Sequence, residues 1–461
     1  MPGGFANLQP PTVGLATVGC KLNQYDTETI REQFVRSGYQ IVPFGGRADV
    51  YVVNSCTVTS RSDRDSRRLA RRAKRTNPHA FVVVTGCYAE VSSEAVAGIP
   101  EVDLVVGNAD KRNLPELVAD GLAMAGSPEG CRRDSAVPGE SVAPVHVSDI
   151  TEPGAFDGPL VSHFGEHTRA FMKVQDGCDA ACTYCIVRRA RGPSRSLPLD
   201  RAIEQAKRFL DVGHAEIVLV GVHLGAYGVD LSPPLRLADL VAQLVELPGI
   251  GRVRLSSIEP HEVDDDLISL AADSRKVCRH FHMPLQSGDD EILRRMNRPY
   301  TGGFFADLIA NIATRVPAVG IGADVIVGFP GEAERQFHNT HELLSGLPLT
   351  YLHVFSYSAR AGTPAADFPD QVQEEVKKRR CQALRQLSDR KAQAFRRRLV
   401  GTAAVVLIEG AHGGSDAVVS GLTDNYVRVA LERGTAQAGQ MVRIRILSTR
   451  PDGLLSAVPE R

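Results

Sequence analysis

Six times over residues 166–398 a short apolar run gives way to a stretch with helical periodicity, and this alternation restricts the fold more than any other feature of the chain. The runs are AFMKVQ (170–175), EIVLVG (216–221), RVRLSS (252–257), HFHMPL (280–285), GADVIVG (322–328) and TYLHVFS (350–356). Strands joined through helices pair in parallel, so six such units predict a partial (β/α)6 barrel with its ligand site at the C-terminal strand ends. Polar residues collect at those ends: Gly221 and His223 after the second run, Ser257 and Glu259 around the end of the third, Gln286 and Ser287 after the fourth, Tyr357 after the last. Asp324 lies within the fifth and Gly328 at its end. The first run leads into QDGCDAACTYCIVRRARG, where Cys178, Cys182 and Cys185 stand in a C-x3-C-x2-C spacing.

Residues 10–124 repeat the alternation on a smaller scale. TVGLATV (12–18), ADVYVV (48–53), AFVVVT (80–85) and residues 103–106 lack period-2 alternation, which suits strands of an open parallel sheet covered on both faces. Cys20, Cys56 and Cys87 each fall just past the C-terminal end of one of these strands. Those ends share one edge of the sheet, the ligand-binding edge, so three cysteines far apart in sequence are expected to meet. The chain therefore carries two groups of three. Three thiolates hold three corners of an iron–sulfur cube that usually takes four, which leaves one iron open to a ligand. The alternatives are a zinc site built by the Cys178 loop with His163 or His167, and cysteines buried as small apolar side chains.

Nine cysteines, an odd number at irregular spacings, suit reduced thiols or metal ligands better than a disulfide framework. At 461 residues, 43% hydrophobic and 23% charged, the chain has ordinary globular usage and room for two to four domains. No apolar run is long enough to span a bilayer, and MPGGFANLQPP lacks the basic-then-apolar order of a signal peptide, so a cytoplasmic protein with no membrane partner is expected. A formal net charge of −1 supplies no overall field for a polyanion. Nucleic-acid binding would have to come from the basic segments Arg67–Arg75, Arg188–Arg195 and Lys377–Arg398, although a charge run is often only a solvated helix face. Residues 125–165, rich in Gly, Pro, Ser and acidic residues, read as a linker in which Cys131 is a lone thiol. Over 399–461 short β-type runs (AAVVLIEG, NYVRVALE, MVRIRIL, LLSAV) alternate with Gly and Asp turns, which predicts a small β-barrel suited to a nucleic-acid backbone.

With VGCKLNQYDTE, VVNSCTVT, VTGCYAE, the C-x3-C-x2-C loop followed by Arg191-Gly192, HMPLQSGDDEILRRMNRPYT and DVIVGFPGE in view, the chain resembles the radical S-adenosylmethionine (SAM) methylthiotransferases over nearly its full length. That resemblance implies an α/β protein of three parts: an N-terminal open-sheet three-cysteine domain, a radical SAM barrel and a C-terminal TRAM-like barrel. GCKLNQYDTE and GVHLGAYG look most like the branch acting on N6-threonylcarbamoyladenosine at tRNA position 37, beside the anticodon. Family members commonly carry proline where this chain has Arg188.

The resemblance further implies two 4Fe-4S clusters. The one on Cys178, Cys182 and Cys185 would bind and cleave SAM, making these the catalytic cysteines. The one on Cys20, Cys56 and Cys87 would carry a sulfur methylated by a second SAM for delivery to carbon 2 of the adenine. Gly221, Ser257, Glu259, Gln286, Ser287, Gly288 and Asp324 are the candidates for holding SAM, although polar residues at strand ends also serve packing. The implied partners are the tRNA anticodon stem-loop, an electron donor such as flavodoxin or ferredoxin, and a sulfur donor.

Two other substrates fit the same chemistry, isopentenyladenosine-37 of tRNA and a ribosomal protein. A different class, a two-cluster electron carrier or a non-catalytic tRNA-binding protein, fits less well, because a carrier would saturate each cluster with four protein ligands and each group here stops at three. A Rossmann-type methyltransferase is disfavoured: no Gly-rich fingerprint follows an early strand, and in GIGADV Val325 stands where the third glycine belongs. His282, inside a strand, reads as a core histidine.

Overall fold

The computed structural model describes residues 10–125, 142–151, 156, 160–162, 164–165, 167–412 and 415–460. Cys131, His163 and most of the linker lie outside the described residues. The chain forms two units, Met1–Val161 with Ile186–Pro193, and Ser162–Cys185 with Ser194–Arg461.

The first unit runs β1 (Thr12–Thr17), α1 (Lys21–Arg36), β2 (Gln40–Val42), β3 (Val50–Ser55), α2 (Ser60–Thr76), β4 (Phe81–Gly86), α3 (Cys87–Val91), α4 (Ser93–Ala97), β5 (Leu104–Val106), α5 (Leu114–Ala125), β6 (Val145–His146) and α6 (Val187–Arg191). Its six strands are parallel, in the order β2-β1-β3-β4-β5-β6. The unbroken apolar runs have a plain cause. Tyr51, Val53, Val82 and Val84 face Ala70 and Ala73 of α2, while Val50, Val52 and Val83 face Ile30 and Phe34 of α1. Every position of β3 and β4 is thereby buried. The two alanines let α2 lie close on the sheet, and Thr59 caps it by accepting from Ser62 N at 3.2 Å. The sequence predicted four strands; β2 and β6 are additions of three and two residues, too short to show a period.

The second unit opens with β7 (Arg169–Lys173) and β8 (Gln175–Asp176), then β9 (Arg195–Ser196), α7 (Leu199–Asp211), β10 (Glu216–Val220), α8 (Leu237–Val245), β11 (Arg252–Leu255), α9 (Asp265–Asp273) and β12 (His280–Gln286). It continues with α10 (Asp290–Arg295), α11 (Gly302–Arg315), β13 (Gly320–Val327), α12 (Glu334–Gly346), β14 (Tyr351–Ser356) and α13 (Glu374–Leu399). The six predicted strands form two parallel sheets, β11-β10-β7 and β12-β13-β14, joined by a parallel bridge between Ser257 and His282. β7 and β14 are not paired with each other, so the barrel is open.

The chain then closes a five-stranded barrel in the order β15-β16-β17-β19-β18, from β15 (Ala403–His412), β16 (Ser415–Thr423), β17 (Arg428–Glu432), β18 (Met441–Thr449) and β19 (Leu455–Pro459). Val406, Ile408, Val429, Leu431, Ile444, Ile446 and Leu455 fill it, and Phe395 and Leu399 from the end of α13 join the same core.

A buried ionic group ties this barrel to the open one. Glu216 of β10 pairs with Arg252 at 2.5 Å and Arg254 at 2.7 Å, both from β11. Arg252 also donates to the carbonyls of Val405 (3.2 Å) and Leu422 (2.8 Å), and Arg254 to those of Asp424 (3.0 Å) and Thr423 (2.9 Å). Burial works against the Glu216 charge, but the two guanidiniums outweigh it and hold the carboxyl well below the usual range. Among the described residues no helix is long and apolar enough to cross a membrane.

Candidate metal centres

The Cys178 loop follows β7 and β8 at the C-terminal end of the first barrel strand, where the strand pattern placed it. Gly177, with φ +77°, turns the chain into it, a conformation that only glycine adopts without strain. The loop is fastened to residues 295–297: Thr183 N donates to Met296 O at 3.1 Å, Thr183 Oγ1 to Arg295 O at 2.8 Å, and Asn297 Nδ2 to Ala181 O at 2.9 Å. Tyr184 packs against Ile292, Met296, Phe329 and their neighbours, and burial pushes its phenol well above the ordinary value.

Cys178 and Cys182 each have a polar neighbour in the second unit. Cys178 Sγ lies 3.6 Å from His223 Nδ1, and His223 Nε2 is 2.8 Å from Glu262 Oε1. Burial disfavours the imidazolium, yet the contacts with Cys178 and Glu262 prevail and raise His223 to about 10. Buried Gln175 braces the same corner, donating to Gly177 O at 2.8 Å and accepting from His223 N at 2.7 Å. Gly221 has no room for a side chain there, since a Cβ would stand 2.9 Å from Gln175 Oε1. Cys182 Sγ accepts from Arg298 Nη1 at 3.2 Å. Arg298 in turn donates to Tyr300 Oη at 2.8 Å, to Pro284 O at 3.2 Å and to the Glu259 carboxylate. Burial raises the Glu259 carboxyl above its ordinary value, and Arg298 offsets only part of that rise.

The other predicted residues are distributed as follows. Ser257 is exposed beside its bridge to β12. Gln286 ends β12 at φ +69°, beside a register shift, a left-handed conformation unusual for a side-chain-bearing residue. Ser287 is buried with Oγ 3.3 Å from Thr340 Oγ1, and Gly288 N donates to that hydroxyl at 3.0 Å. Both therefore seat their turn on α12. Asp324 accepts from His282 Nε2 at 2.8 Å and pairs with His353 Nδ1 at 3.3 Å. Burial opposes its charge, but the two histidines hold the carboxyl well below its usual range. His282 is buried with its remaining nitrogen 2.9 Å from Tyr351 Oη.

In the first unit Cys20, Cys56 and Cys87 follow β1, β3 and β4, three adjacent strands, so they share the C-terminal edge of the sheet. Gly19 (φ +104°) and Gly86 (φ +96°) set two of them. A Cβ at Gly19 would stand 2.8 Å from Cys56 Sγ, and one at Gly86 2.4 Å from Ser55 O. Buried Arg191 of α6 donates to Cys87 Sγ at 3.3 Å and to Asn23 Oδ1 at 2.5 Å, and pairs with Asp26 at 2.9 Å. Asn23 Nδ2 bonds Val18 O and Ser55 O, tying α1 to the ends of two strands. Burial pushes the Cys56 thiol up to about 11, with Cys87 and Cys20 adding to the effect, so metal uptake would have to displace a proton.

Among the described residues His282, Asp324 and His353 offer ligand atoms within 4.8 Å of one another. His167, one of the histidines considered for a zinc site, packs on Phe164 and Phe171 ahead of β7, at the opposite end of that strand from the loop. Sequence reasoning named His223 and the Arg191-Gly192 pair but missed Gln175, Glu262 and the part taken by Arg298, whose neighbours come from distant strands.

Three cysteines at the end of the first strand of an open parallel barrel, in a chain with a second group of three on an open sheet, define a class. The radical SAM superfamily model matches residues 172–344, and that of the uncharacterized protein family UPF0004 matches residues 12–107. The chain belongs to the radical SAM methylthiotransferases, and it is accordingly an enzyme, a transferase that uses SAM and a 4Fe-4S cluster. It is 38% identical to the threonylcarbamoyladenosine tRNA methylthiotransferase MtaB of Bacillus subtilis (strain 168), over 95% of this chain and 94% of that one. The protein of the same name from Aquifex aeolicus (strain VF5) is also 38% identical, over 94% of this chain and 100% of its own. The tRNA-2-methylthio-N(6)-dimethylallyladenosine synthase of Acetivibrio thermocellus is 31% identical, over 94% and 88%. Among solved structures, the radical SAM methyltransferase TsrM from Kitasatospora setae gives a TM-score of 0.56 at 14% identity, covering 77% of this chain and 74% of that one, a likeness of fold alone.

Proposed function

We propose that this protein adds a methylthio group to carbon 2 of N6-threonylcarbamoyladenosine at position 37 of tRNA, with two 4Fe-4S clusters. The observation that carries the reading is the pair of cysteine groups, each at the C-terminal edge of its own parallel sheet and each stopping at three. Bound SAM and its cluster supply a 5′-deoxyadenosyl radical. Cys178, Cys182 and Cys185 hold that cluster at the barrel edge, and Tyr184 helps to seal the loop against the core. Gly221, Ser257, Glu259, Gln286 and Asp324 frame the SAM site, to which Ser287 and Gly288 give shape through their turn on Thr340. Cys20, Cys56 and Cys87 hold the second cluster, and with it the sulfur to be delivered. The work divides among residues 10–124, 166–398 and 399–461, with 125–165 as the linker, and an electron donor such as flavodoxin or ferredoxin and a sulfur donor complete the cycle.

The test is mass spectrometry of hydrolysed tRNA from a strain lacking the gene. The methylthio form of threonylcarbamoyladenosine should disappear and the isopentenyl nucleoside keep its methylthio group. The opposite pattern would move the protein to the second reading, which the Acetivibrio relative supports.

The anticodon stem-loop needs a basic surface, and Arg71 and Arg72 are exposed on α2. Reversing both to glutamate should weaken tRNA binding roughly tenfold near 100 mM salt and flatten the log–log salt slope by about 1.5. Unchanged affinity and slope in a filter-binding titration would remove α2 from the interface.

A further inference from the structure

The two cysteine groups share an arrangement that nothing in their spacing announces: in each, a buried arginine donates to one sulfur and is itself held by a carboxylate. In the first unit Arg191 Nε points at Cys87 Sγ (3.3 Å), while Asp26 and Asn23 take the rest of the guanidinium at 2.9 and 2.5 Å. Lys111 Nζ, 3.1 Å from the same Asp26 oxygen, keeps that carboxylate from cancelling the local positive charge alone. In the second unit Arg298 Nη1 points at Cys182 Sγ (3.2 Å), while Glu259, Pro284 O and Tyr300 Oη take the rest. Neither guanidinium is free to swing away. A fixed N–H aimed at a ligating sulfur draws off negative charge, and a cation out of water does so more strongly than one in solvent. Hydrogen bonds to the sulfurs are among the terms that set the potential of an iron–sulfur cluster.

We propose that Arg191 and Arg298 are paired positioning residues, each orienting one ligating thiolate, Cys87 and Cys182 respectively, and each raising the reduction potential of its own cluster. The inference rests on the two-cluster reading above. It gives the five residues between Cys185 and Arg191 a purpose: the segment that begins in one cysteine loop ends by serving the other cysteine group. If the arginines were only structural ion pairs, neutral replacements would alter folding and leave the potentials alone.

The experiment uses the full-length protein, reconstituted anaerobically, with iron and sulfide counted before a potentiometric titration read by electron paramagnetic resonance. Arg298→Met is titrated in the Cys20/Cys56/Cys87→Ala background, and Arg191→Met in the Cys178/Cys182/Cys185→Ala background, so each signal has one source. Each variant should make one-electron reduction of its cluster at least tenfold less favourable, about 59 mV lower, with iron content retained. The glutamine variants, which keep an N–H but lose the charge, should fall by less. A midpoint that stays put in a fully loaded variant overturns the proposal. Where a methionine variant takes up no iron, the glutamine variant decides, and an unmoved midpoint there overturns it equally. If the wild type holds about four irons, the two-cluster reading and the Arg191 half fall together, and the Arg298 titration settles the other half alone.

Discussion

Glu216→Gln is expected to destabilise the second unit by about 3–5 kcal/mol, because it leaves Arg252 and Arg254 buried without their counter-charge. The penalty comes from the arginines left behind more than from the lost attraction. Both donate to carbonyls of the C-terminal barrel, so the damage should appear first as loosening of that barrel, with limited proteolysis cutting near the end of α13 well before the core is digested. Urea denaturation followed by circular dichroism gives the size of the effect. An unchanged midpoint and digestion pattern would show that the carbonyls alone hold the guanidiniums. The pH dependence has a definite sign. A carboxyl held below its usual range stabilises above its unfolded value and loses that contribution as the pH falls through the folded one. The anchoring should therefore persist through mild acid and fail only in strong acid.

The second large effect concerns Cys20, Cys56 and Cys87. After anaerobic reconstitution the wild type should carry about eight irons per chain and the triple alanine variant about four. The variant should still cleave SAM to 5′-deoxyadenosine and place no methylthio group on tRNA. Four irons in both proteins would make these cysteines structural and remove the two-cluster mechanism. The separation is expected because each group has its own sheet, its own glycine turns and its own arginine, so emptying one need not disturb the other.

What could be read from the sequence was what is local. The six barrel strands were visible because unbroken apolar runs such as EIVLV mark strands covered on both faces, and the cysteines because each follows such a run. A basic segment does not say which of its members a helix turns inward. Arg188 and Arg189 are exposed while Arg191, one turn on, is buried at Cys87; Lys377 and Arg380 are buried in a helix whose composition suggests solvent all round. RVRL gave no hint that both its arginines are inside, because their partners come from β10 and from residues about 150 to 170 positions later. Asp324, a candidate for the SAM site, meets His282 and His353 from the strands on either side of its own, and that too is a meeting of separate strands. Long-range pairing of charged groups leaves no periodic trace.

β14 is the last strand of its sheet, yet its outer side is not bare. Ser388 Oγ of α13 accepts from Leu352 N at 2.9 Å and donates to Leu352 O at 3.3 Å, so one helix hydroxyl occupies two backbone groups that another strand would seek. A helix laid along an edge does for a gapped barrel part of what closure does for a complete one: it denies a second copy of the chain a strand to pair with.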